Sequence, residues 1–221
     1  MKLLYVEIAR AIWLFDTRLV NPKGLDLKPF FEILKERFGF SVMPAHPRDF
    51  KDNALVFDAG SFTNLAGQSI AVTLKTYVDG IIAETASNTN DTIEFFDQLT
   101  TAISDSGYEI PKEDLGELGF VSQMRVQFDA PLISINPKLE RANRFIESHM
   151  NSLDGEQRRF EMTGIEFFSE DISKPKAPIA FKLERKYGAP FAANEYFTRA
   201  PLQTDYHIKL LEDLESIILQ P

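Results

Sequence analysis

Two stretches of the chain, SIAVTL at residues 69–74 and PIAFKL at residues 178–183, share one pattern from which the architecture can be predicted. Apolar residues alternate with small, polar or charged residues in both, which is typical of a strand that buries one face. The two stretches align at a separation of 109 residues. Two later segments, Ile93 to Ile103 and Ile208 to Ile218, have helical spacing and align at a separation of 115 residues. The pattern predicts a β-hairpin followed by a helix, present twice.

The remainder of the first half places a strand and a helix before its hairpin. Asp79-Gly80 predicts a type I′ turn, in which both central residues need a positive φ. Gly107 is of a type that commonly ends a helix. The elements predicted for this half are, in order, a strand over residues 2–16, a helix over 27–38, a short strand over 40–43, a strand over 54–58, the hairpin over 69–86 and a helix that starts among residues 88–91 and ends at 106.

The second half repeats this order of elements. Pro137 stands where proline is favoured, in the first turn of a helix, and Thr204 is a typical residue to open the last helix. The elements predicted for this half are a strand over residues 121–135, a helix from 137 to about 150, a strand over 160–168, a hairpin over 179–198 and a closing helix that starts at 204.

These elements predict an α+β fold made of two tandem β-α-β(n)-α units. Each unit would bury one face of an antiparallel sheet under helices packed on that face. We expect a first repeat over residues 1–110 and a second over residues 120–221, either as separate units or as one continuous domain.

A tandem strand-helix-strands-helix arrangement resembles the TATA-binding-protein-like fold, over about residues 2–219. The resemblance implies a curved sheet with its helices on the convex face. It is one of topology, since no motif of that family, such as a pair of Phe residues that wedge into a minor groove, is recognised in the chain. DNA binding is therefore not carried over from it, because a fold does not define a function.

Composition limits the classes of protein that the chain can belong to. It has 221 residues, 44% of them hydrophobic and 26% charged, which is typical of a globular protein and excludes wholesale disorder. The net charge of -9 argues against affinity based on nonspecific neutralisation of phosphates. The absence of Cys favours a reducing compartment, and no stretch is apolar enough for a signal peptide or a membrane span. We expect a cytoplasmic protein that does not enter a membrane.

Motifs for catalysis or cofactor binding are absent from the sequence. It contains no Walker A motif, no Gly-x-Gly-x-x-Gly and no pair of His residues at metal-ligand spacing, so no cofactor and no metal ligand is predicted. Asp58, at the end of an apolar run and before Ala59-Gly60, is the best-placed carboxylate. It gives one alternative interpretation, a carboxylate-metal hydrolase, beside the simpler one of a turn residue.

Basic and aromatic residues concentrate in the last predicted hairpin, and they form the predicted binding set: Lys182, Arg185, Lys186, Tyr196 and Arg199. A sheet face that mixes such side chains suits a nucleic acid or another anion, which gives a second alternative, a nucleic-acid-binding module. The simpler interpretation is a solvated face on which Lys and Glu protect a sheet edge from aggregation.

The leading functional hypothesis is a non-enzymatic binding or scaffold protein that acts within a larger assembly, with a protein partner or a second copy of the chain. The chain lacks catalytic motifs and contains 19 Phe, more than one core should require, and aromatic residues are enriched at protein contacts. A scaffold of this kind should expose a large apolar patch and no deep polar pocket.

Overall fold

The computed structural model describes residues 1–15, 28–44, 54–107, 116, 118–170 and 180–220. The described part contains eight strands and four α-helices in an α+β arrangement, with the order strand, helix, three strands, helix in two successive runs. The first run is β1 (Lys2–Leu14), α1 (Lys28–Phe38), β2 (Leu55–Thr63), β3 (Ser69–Tyr77), β4 (Gly80–Thr85) and α2 (Thr89–Asp105). The second run is β5 (Leu118–Gln127), α3 (Pro137–Asp154), β6 (Gly164–Phe167), β7 (Phe181–Arg185), β8 (Glu195–Ala200) and α4 (Thr204–Leu219).

The chain divides into two compact units. The first unit comprises Glu7–Ser122 with Leu202–Thr204, and the second comprises Met1–Val6, Gln123–Pro201 and Asp205–Pro221. Strands β1 and β5 therefore contribute one part to each unit. The predicted repeats, 1–110 and 120–221, are defined by the similarity of their sequence patterns, whereas the two units are defined by compactness. The division into repeats therefore stays a prediction.

The sheet of the first unit has the strand order β2-β3-β4-β1-β5. Antiparallel pairing joins β2 to β3, β3 to β4, and β4 to β1. Helices α1 and α2 cover one face, and the core between them and the sheet is rich in phenylalanine. Its buried Phe residues are Phe38, Phe40, Phe57, Phe62, Phe95 and Phe96. Much of the high Phe content of the chain is thus used in this core.

The hairpin β3–β4 is confirmed, but its predicted turn is wrong by one residue. The connecting pair is Val78-Asp79, and neither residue has a positive φ. Gly80 has φ 153 and is the first residue of β4, opposite both Tyr77 and Leu14. A Cβ on Gly80 would overlap the carbonyl oxygen of Trp13. The glycine is needed because the backbone of the adjacent strand comes close, and not because it occupies a type I′ turn.

The second unit has the strand order β1-β5-β8-β7-β6, with antiparallel pairing of β6 to β7 and of β7 to β8. Its buried core comes from β5, β7, β8, the short 3-10 helix Leu132–Ile135 and α4. Helix α3 contributes no residue to this core. By contrast, α1, which occupies the same place in the first run of elements, buries Ile33, Leu34 and Phe38.

Two strands of the second run are shorter than predicted. Strand β5 ends at Gln127, and the apolar residues that follow form the 3-10 helix, preceded by Pro131. Strand β6 covers only Gly164–Phe167, while the segment before it bonds to side chains of α3. Apolar sequence continues through both boundaries, so hydrophobicity alone does not show where the pairing of the strands ends.

No helix in the described ranges is long and apolar enough to span a bilayer.

Candidate functional site

The hairpin β7–β8 carries the predicted binding set, and the structure separates it between two faces. Cross-strand pairing places Lys182 opposite Arg199, and Arg185 opposite Tyr196. Because successive side chains alternate across a strand, the two pairs lie on opposite faces of the sheet. Tyr196 is fully buried, so the second pair faces the core. Lys186 follows Arg185 directly and has the same alternation phase as Lys182. The five residues therefore do not form one surface.

Arg185 is held inside the unit by several partners. Its guanidinium donates to the carbonyl oxygen of Phe191 at 3.0 Å and to the hydroxyl of Tyr196 at 3.3 Å, and it pairs with Glu161 at 2.7 Å. It also lies over the rings of Phe191 and Tyr196, 5.1 and 5.2 Å from their centroids. The side chains of Arg185 and Glu161 are only 7% and 11% exposed. Both the guanidinium and the ring of Tyr196 are thus used in packing the unit.

The phenol of Tyr196 adds a further link in this cluster. Its oxygen accepts the backbone N–H of Leu132 at 2.8 Å, which ties the 3-10 helix to β8. Burial raises the pKa of this phenol, so the group stays protonated at neutral pH. A neutral, fully buried phenol with these partners has a structural role.

Two of the three remaining cations of the set, Lys182 and Arg199, lie on the open face of the hairpin and are partly buried. Lys182 pairs with Glu184 at 2.6 Å. The Nε of Arg199 is buried and has no hydrogen-bond partner among the described residues. Neither group offers the freely exposed charge that a phosphate-binding strip requires.

A cleft of about 510 Å³ lies where β7 ends and the loop to β8 begins. This volume is within the ordinary range of small-molecule sites. The lining includes three cations and three aromatic rings: Arg125, Arg185, Lys186, Tyr187, Phe191 and Phe197. Two residues of the predicted binding set, Arg185 and Lys186, thus meet here. Tyr187 and Phe197 are close in sequence to the predicted set, but Arg125 and Phe191 could not be recognised as parts of the same site, because Arg125 comes from β5 and Phe191 from the loop.

Asp58, the candidate for a metal site, stabilises a bulge in β2. Its carboxylate accepts the N–H of Ala59 at 2.8 Å and the hydroxyl of Thr73 at 2.7 Å, and these bonds lower the pKa of Asp58. Ala59 has φ 55, at the point where the register with β3 shifts. Among the described residues, no group of three or more His, Asp or Glu side chains could hold a metal ion. The hydrolase alternative gains no support from this part of the chain.

Helix α3 exposes its apolar side. None of its residues from Pro137 to Leu153 is buried, although the spacing of its apolar residues is that of a core helix. Its large exposed hydrophobic residues, with exposed fractions from 36% to 78%, are Leu139, Phe145, Ile146, Met150 and Leu153. Contiguous exposed apolar surface of this kind commonly marks an interaction site.

Polar residues hold α3 in this orientation. Asn143 donates to the carbonyl oxygen of Phe160 at 2.7 Å, and Glu147 accepts the N–H of the same residue at 2.8 Å. One turn later, Asn151 bonds both the N–H and the carbonyl oxygen of Arg158, at 2.9 and 3.1 Å. The three side chains follow one another at four-residue steps and so lie on one side of the helix. The apolar residues, at other positions on the helix, remain outside this anchored side.

The anchor has a recognisable sequence pattern that the sequence analysis did not use. Asn143, Glu147 and Asn151 recur every four residues beside the apolar stripe. Such a row can bond an extended backbone as well as it can bond water, so the pattern alone does not predict which it does. The structure identifies the partner as the segment 158–160.

No protein-family model matches the chain, and no curated protein matches it. A search of solved structures matches it to Methanococcus jannaschii TBP, with 14% sequence identity and a TM-score of 0.45, over 98% of this chain and 97% of that chain. The likeness concerns the fold alone. Both runs of elements have the order strand-helix-strands-helix. The resemblance of the sequence to the TATA-binding-protein-like fold rests on this order and is one of topology.

Proposed function

We propose that this chain is a non-enzymatic protein-binding module and that α3 docks an acidic amphipathic helix of a partner protein. The observation that carries the proposal is the helix Pro137–Asp154, which has an apolar stripe and no buried residue between Pro137 and Leu153. In the first run of elements the corresponding helix, α1, places three apolar residues in a core. An apolar stripe that its own unit leaves uncovered is a surface for a partner.

The spacing of the stripe suits a helical occupant. Leu139, Ala142, Ile146, His149 and Leu153 follow one another at alternating steps of three and four residues. This is the a/d spacing of two heptads, the seam along which two helices pack. His149 stacks on Phe145 beside the seam, with ring centroids 4.2 Å apart. The stripe is therefore long enough to hold about two heptads of another helix.

Charge favours an acidic partner over a second copy of this chain. Lys138, Arg141 and Arg144 are exposed on α3, and within the described residues none of them takes part in an ion pair. With Leu139 at a heptad a position, Lys138 is at a g position that flanks the seam, whereas Arg141 and Arg144 are at c and f positions, away from it. An acidic helix would complement Lys138, while a second α3 would bring no carboxylate to its e and g positions.

The experiment compares capture by the wild-type chain with capture by the double variant Ile146→Asp, Leu153→Asp. Both side chains are exposed, at 48% and 78%, so the change should alter the free energy of unfolding by no more than about 0.5 kcal/mol. Affinity for a partner helix should fall at least about tenfold, because buried aspartates would replace two anchors. Leu65→Asp, at a residue that is 95% exposed in the first unit, is the matched control and should bind as the wild type does.

The readout is retention of a protein from an extract of the source cells, followed by hydrogen exchange on the purified complex. Added protection should be confined to 137–154, and Lys138→Glu should weaken the complex. Equal capture by the stripe variant, or protection elsewhere, contradicts the proposal. A concentration-dependent dimer of the purified chain that the stripe variant abolishes would assign the surface to a second copy instead.

The nucleic-acid-binding alternative keeps less support. Arg185 and Tyr196 face the core, and Lys182 is paired with Glu184. Only part of the predicted binding set is therefore open to a polyanion, in a chain of net charge -9.

A further inference from the structure

The two hairpins differ in one place, the loop between their strands. The separation of aligned residues is 109 before the loop and 115 after it, so the second loop carries six additional residues. In the first hairpin the strands are joined by Val78-Asp79 alone, while in the second the chain between β7 and β8 runs over residues 186–194. Loops that are longer in one repeat than in the other often carry a binding site.

The longer loop is an ordered structure tied to its own unit. It includes the 3-10 helix Phe191–Ala193, and it is fixed to β5 by two bonds. Gln127 donates to the carbonyl oxygen of Ala193 at 3.0 Å, and the N–H of Phe128 donates to the carbonyl oxygen of Asn194 at 3.0 Å. The buried Arg185 guanidinium holds the other side through the carbonyl oxygen of Phe191. These bonds make the cleft above Arg185 a preformed feature of the unit.

Cations and rings line this cleft together. Lys186 stands at its edge and makes no ion pair within the described residues. Arg125 also lines the cleft, and its guanidinium lies over the ring of Tyr5, 5.4 Å from the centroid. Of the other charged residues in the lining, Arg185 is paired with Glu161 and Glu184 is paired with Lys182. Within the described part of the chain, Lys186 therefore brings an unpaired positive charge to the lining.

The aromatic component comes mainly from the additional loop. Phe191 and the fully exposed Tyr187 belong to the loop, and Phe197 contributes its ring from β8. Ring faces that lie open to a cleft favour a flat ligand, which stacks on them. The combination of rings and ammonium or guanidinium groups selects a ligand that is both planar and anionic.

We propose that the cleft formed by the β7–β8 loop binds a small anionic molecule with a planar aromatic ring, the anion bonded by Lys186 and the ring stacked on Tyr187 and Phe197. The site is distinct from the α3 surface and does not depend on the proposed protein-binding function. Its specificity follows from two features at once, since an anion without a ring loses the stacking contacts and a ring without a charge loses the ion pairs.

Isothermal titration calorimetry with three probes tests the proposal: phenyl phosphate, inorganic phosphate alone and phenol alone. Phenyl phosphate should bind saturably and at least about tenfold more tightly than either half-probe, because it makes both kinds of contact. Lys186→Gln should weaken its binding about tenfold, and Tyr187→Ala should weaken it by a smaller factor. Both side chains lie at the surface, so the variants should fold as the wild type does.

Lys209→Gln is the matched control, since Lys209 is exposed in the same unit but does not line the cleft, and it should bind phenyl phosphate as the wild type does. The stripe variant of α3 should also leave this binding unchanged, which separates failure of this proposal from failure of the proposed function. Absence of saturable phenyl phosphate binding at millimolar concentrations overturns the proposal. An equal loss in the Lys209 and Lys186 variants, or equal affinity for inorganic phosphate alone, overturns it as well.

Discussion

At the scale of single residues, the alternation of β7 contained more information than the sequence analysis used. Lys182 and Arg185 were grouped by charge, but they differ in phase along the strand. Arg185 shares its phase with Phe181 and Leu183, which are core residues of the second unit. The pattern thus predicted a buried arginine. Its partner Glu161, 24 positions earlier in the sequence, could not be predicted, because an ion pair of this kind depends on the fold.

His207 gives the first residue-scale prediction, on stability as a function of pH. The imidazole is fully buried, bonds the hydroxyl of Thr198 at 2.8 Å and lies against the ring of Phe181. Burial lowers the pKa of His207 to about 4, below the ordinary 6.5. Between these values the unfolded chain takes up a proton that the folded chain does not, so stability falls as pH falls from 6.5 to 4. The loss should reach about 3 kcal/mol.

Urea denaturation of the wild type and of His207→Gln, at several values between pH 4 and 7.5, measures this effect. Other groups also titrate in this range, so the informative quantity is the difference between the two proteins. The difference between their free energies of unfolding should vary with pH across this interval, with a slope that corresponds to about one proton per molecule. A difference that does not vary with pH would show that the imidazole is charged or solvated in the folded protein.

At the scale of elements, the sequence predicts which segments form helices and strands better than it predicts which elements pack against one another. The spacing of Leu139, Ala142, Ile146 and Met150 indicates that α3 has an apolar side, which is typical of a helix that packs in a core. The structure places polar side chains of that helix against residues 158–160 instead. Periodicity shows that a helix has an apolar side, but it cannot show whether the same chain covers that side.

Gly80 gives the element-scale prediction, because it determines whether β4 can lie beside β1. Replacing it by valine introduces a Cβ that overlaps the carbonyl oxygen of Trp13, at a residue whose φ is 153. Both effects act on backbone, which cannot move aside as a flexible side chain can. We expect Gly80→Val to lower the free energy of unfolding by at least about 2 kcal/mol.

Thermal and urea unfolding measure this loss, and Gly119→Ala in β5 is the control. At Gly119 the nearest atom to an added Cβ is 3.8 Å away, which is ordinary contact, and its φ is not positive. The alanine variant should unfold close to the wild type. If both variants were equally stable, the close approach of β1 to Gly80 would be wrong.

At the scale of the whole molecule, the two separations found in the sequence correspond to particular structural features. Leu74 and Leu183, 109 residues apart, are both fully buried, each in the first strand of its hairpin, β3 or β7. Helices α2 and α4 begin at Thr89 and Thr204, 115 residues apart. The sequence could therefore predict the tandem order and the position of the length difference. It could not predict that the additional residues line a cleft, because that depends on side chains from β5 and β8.

Thr89 and Thr204, the two corresponding helix starts, are joined by a reciprocal pair of hydrogen bonds. The N–H of Thr89 donates to the hydroxyl of Thr204 at 3.0 Å, and the N–H of Thr204 donates to the hydroxyl of Thr89 at 2.9 Å. Both threonines are buried and belong to the first unit. Each is the first residue of a helix, where backbone N–H groups lack partners within the helix, so each hydroxyl satisfies a donor of the other.

This arrangement predicts similar losses for the two single variants and coupling between them. Thr89→Val removes the acceptor of one bond and Thr204→Val removes the acceptor of the other, and valine keeps the shape of the side chain. Each variant leaves one buried N–H without an acceptor and should cost about 1–3 kcal/mol. The loss in the double variant should differ from the sum by about 0.5 kcal/mol or more, because the two residues are in direct contact. Urea denaturation of the four proteins measures these values, with Thr101→Val as the control, since the Thr101 hydroxyl is exposed and bonds only within its own helix.

If one threonine proved as neutral to replace as Thr101 while the other did not, the two positions would not be equivalent, and the correspondence of the two runs at a separation of 115 residues would lose its structural support.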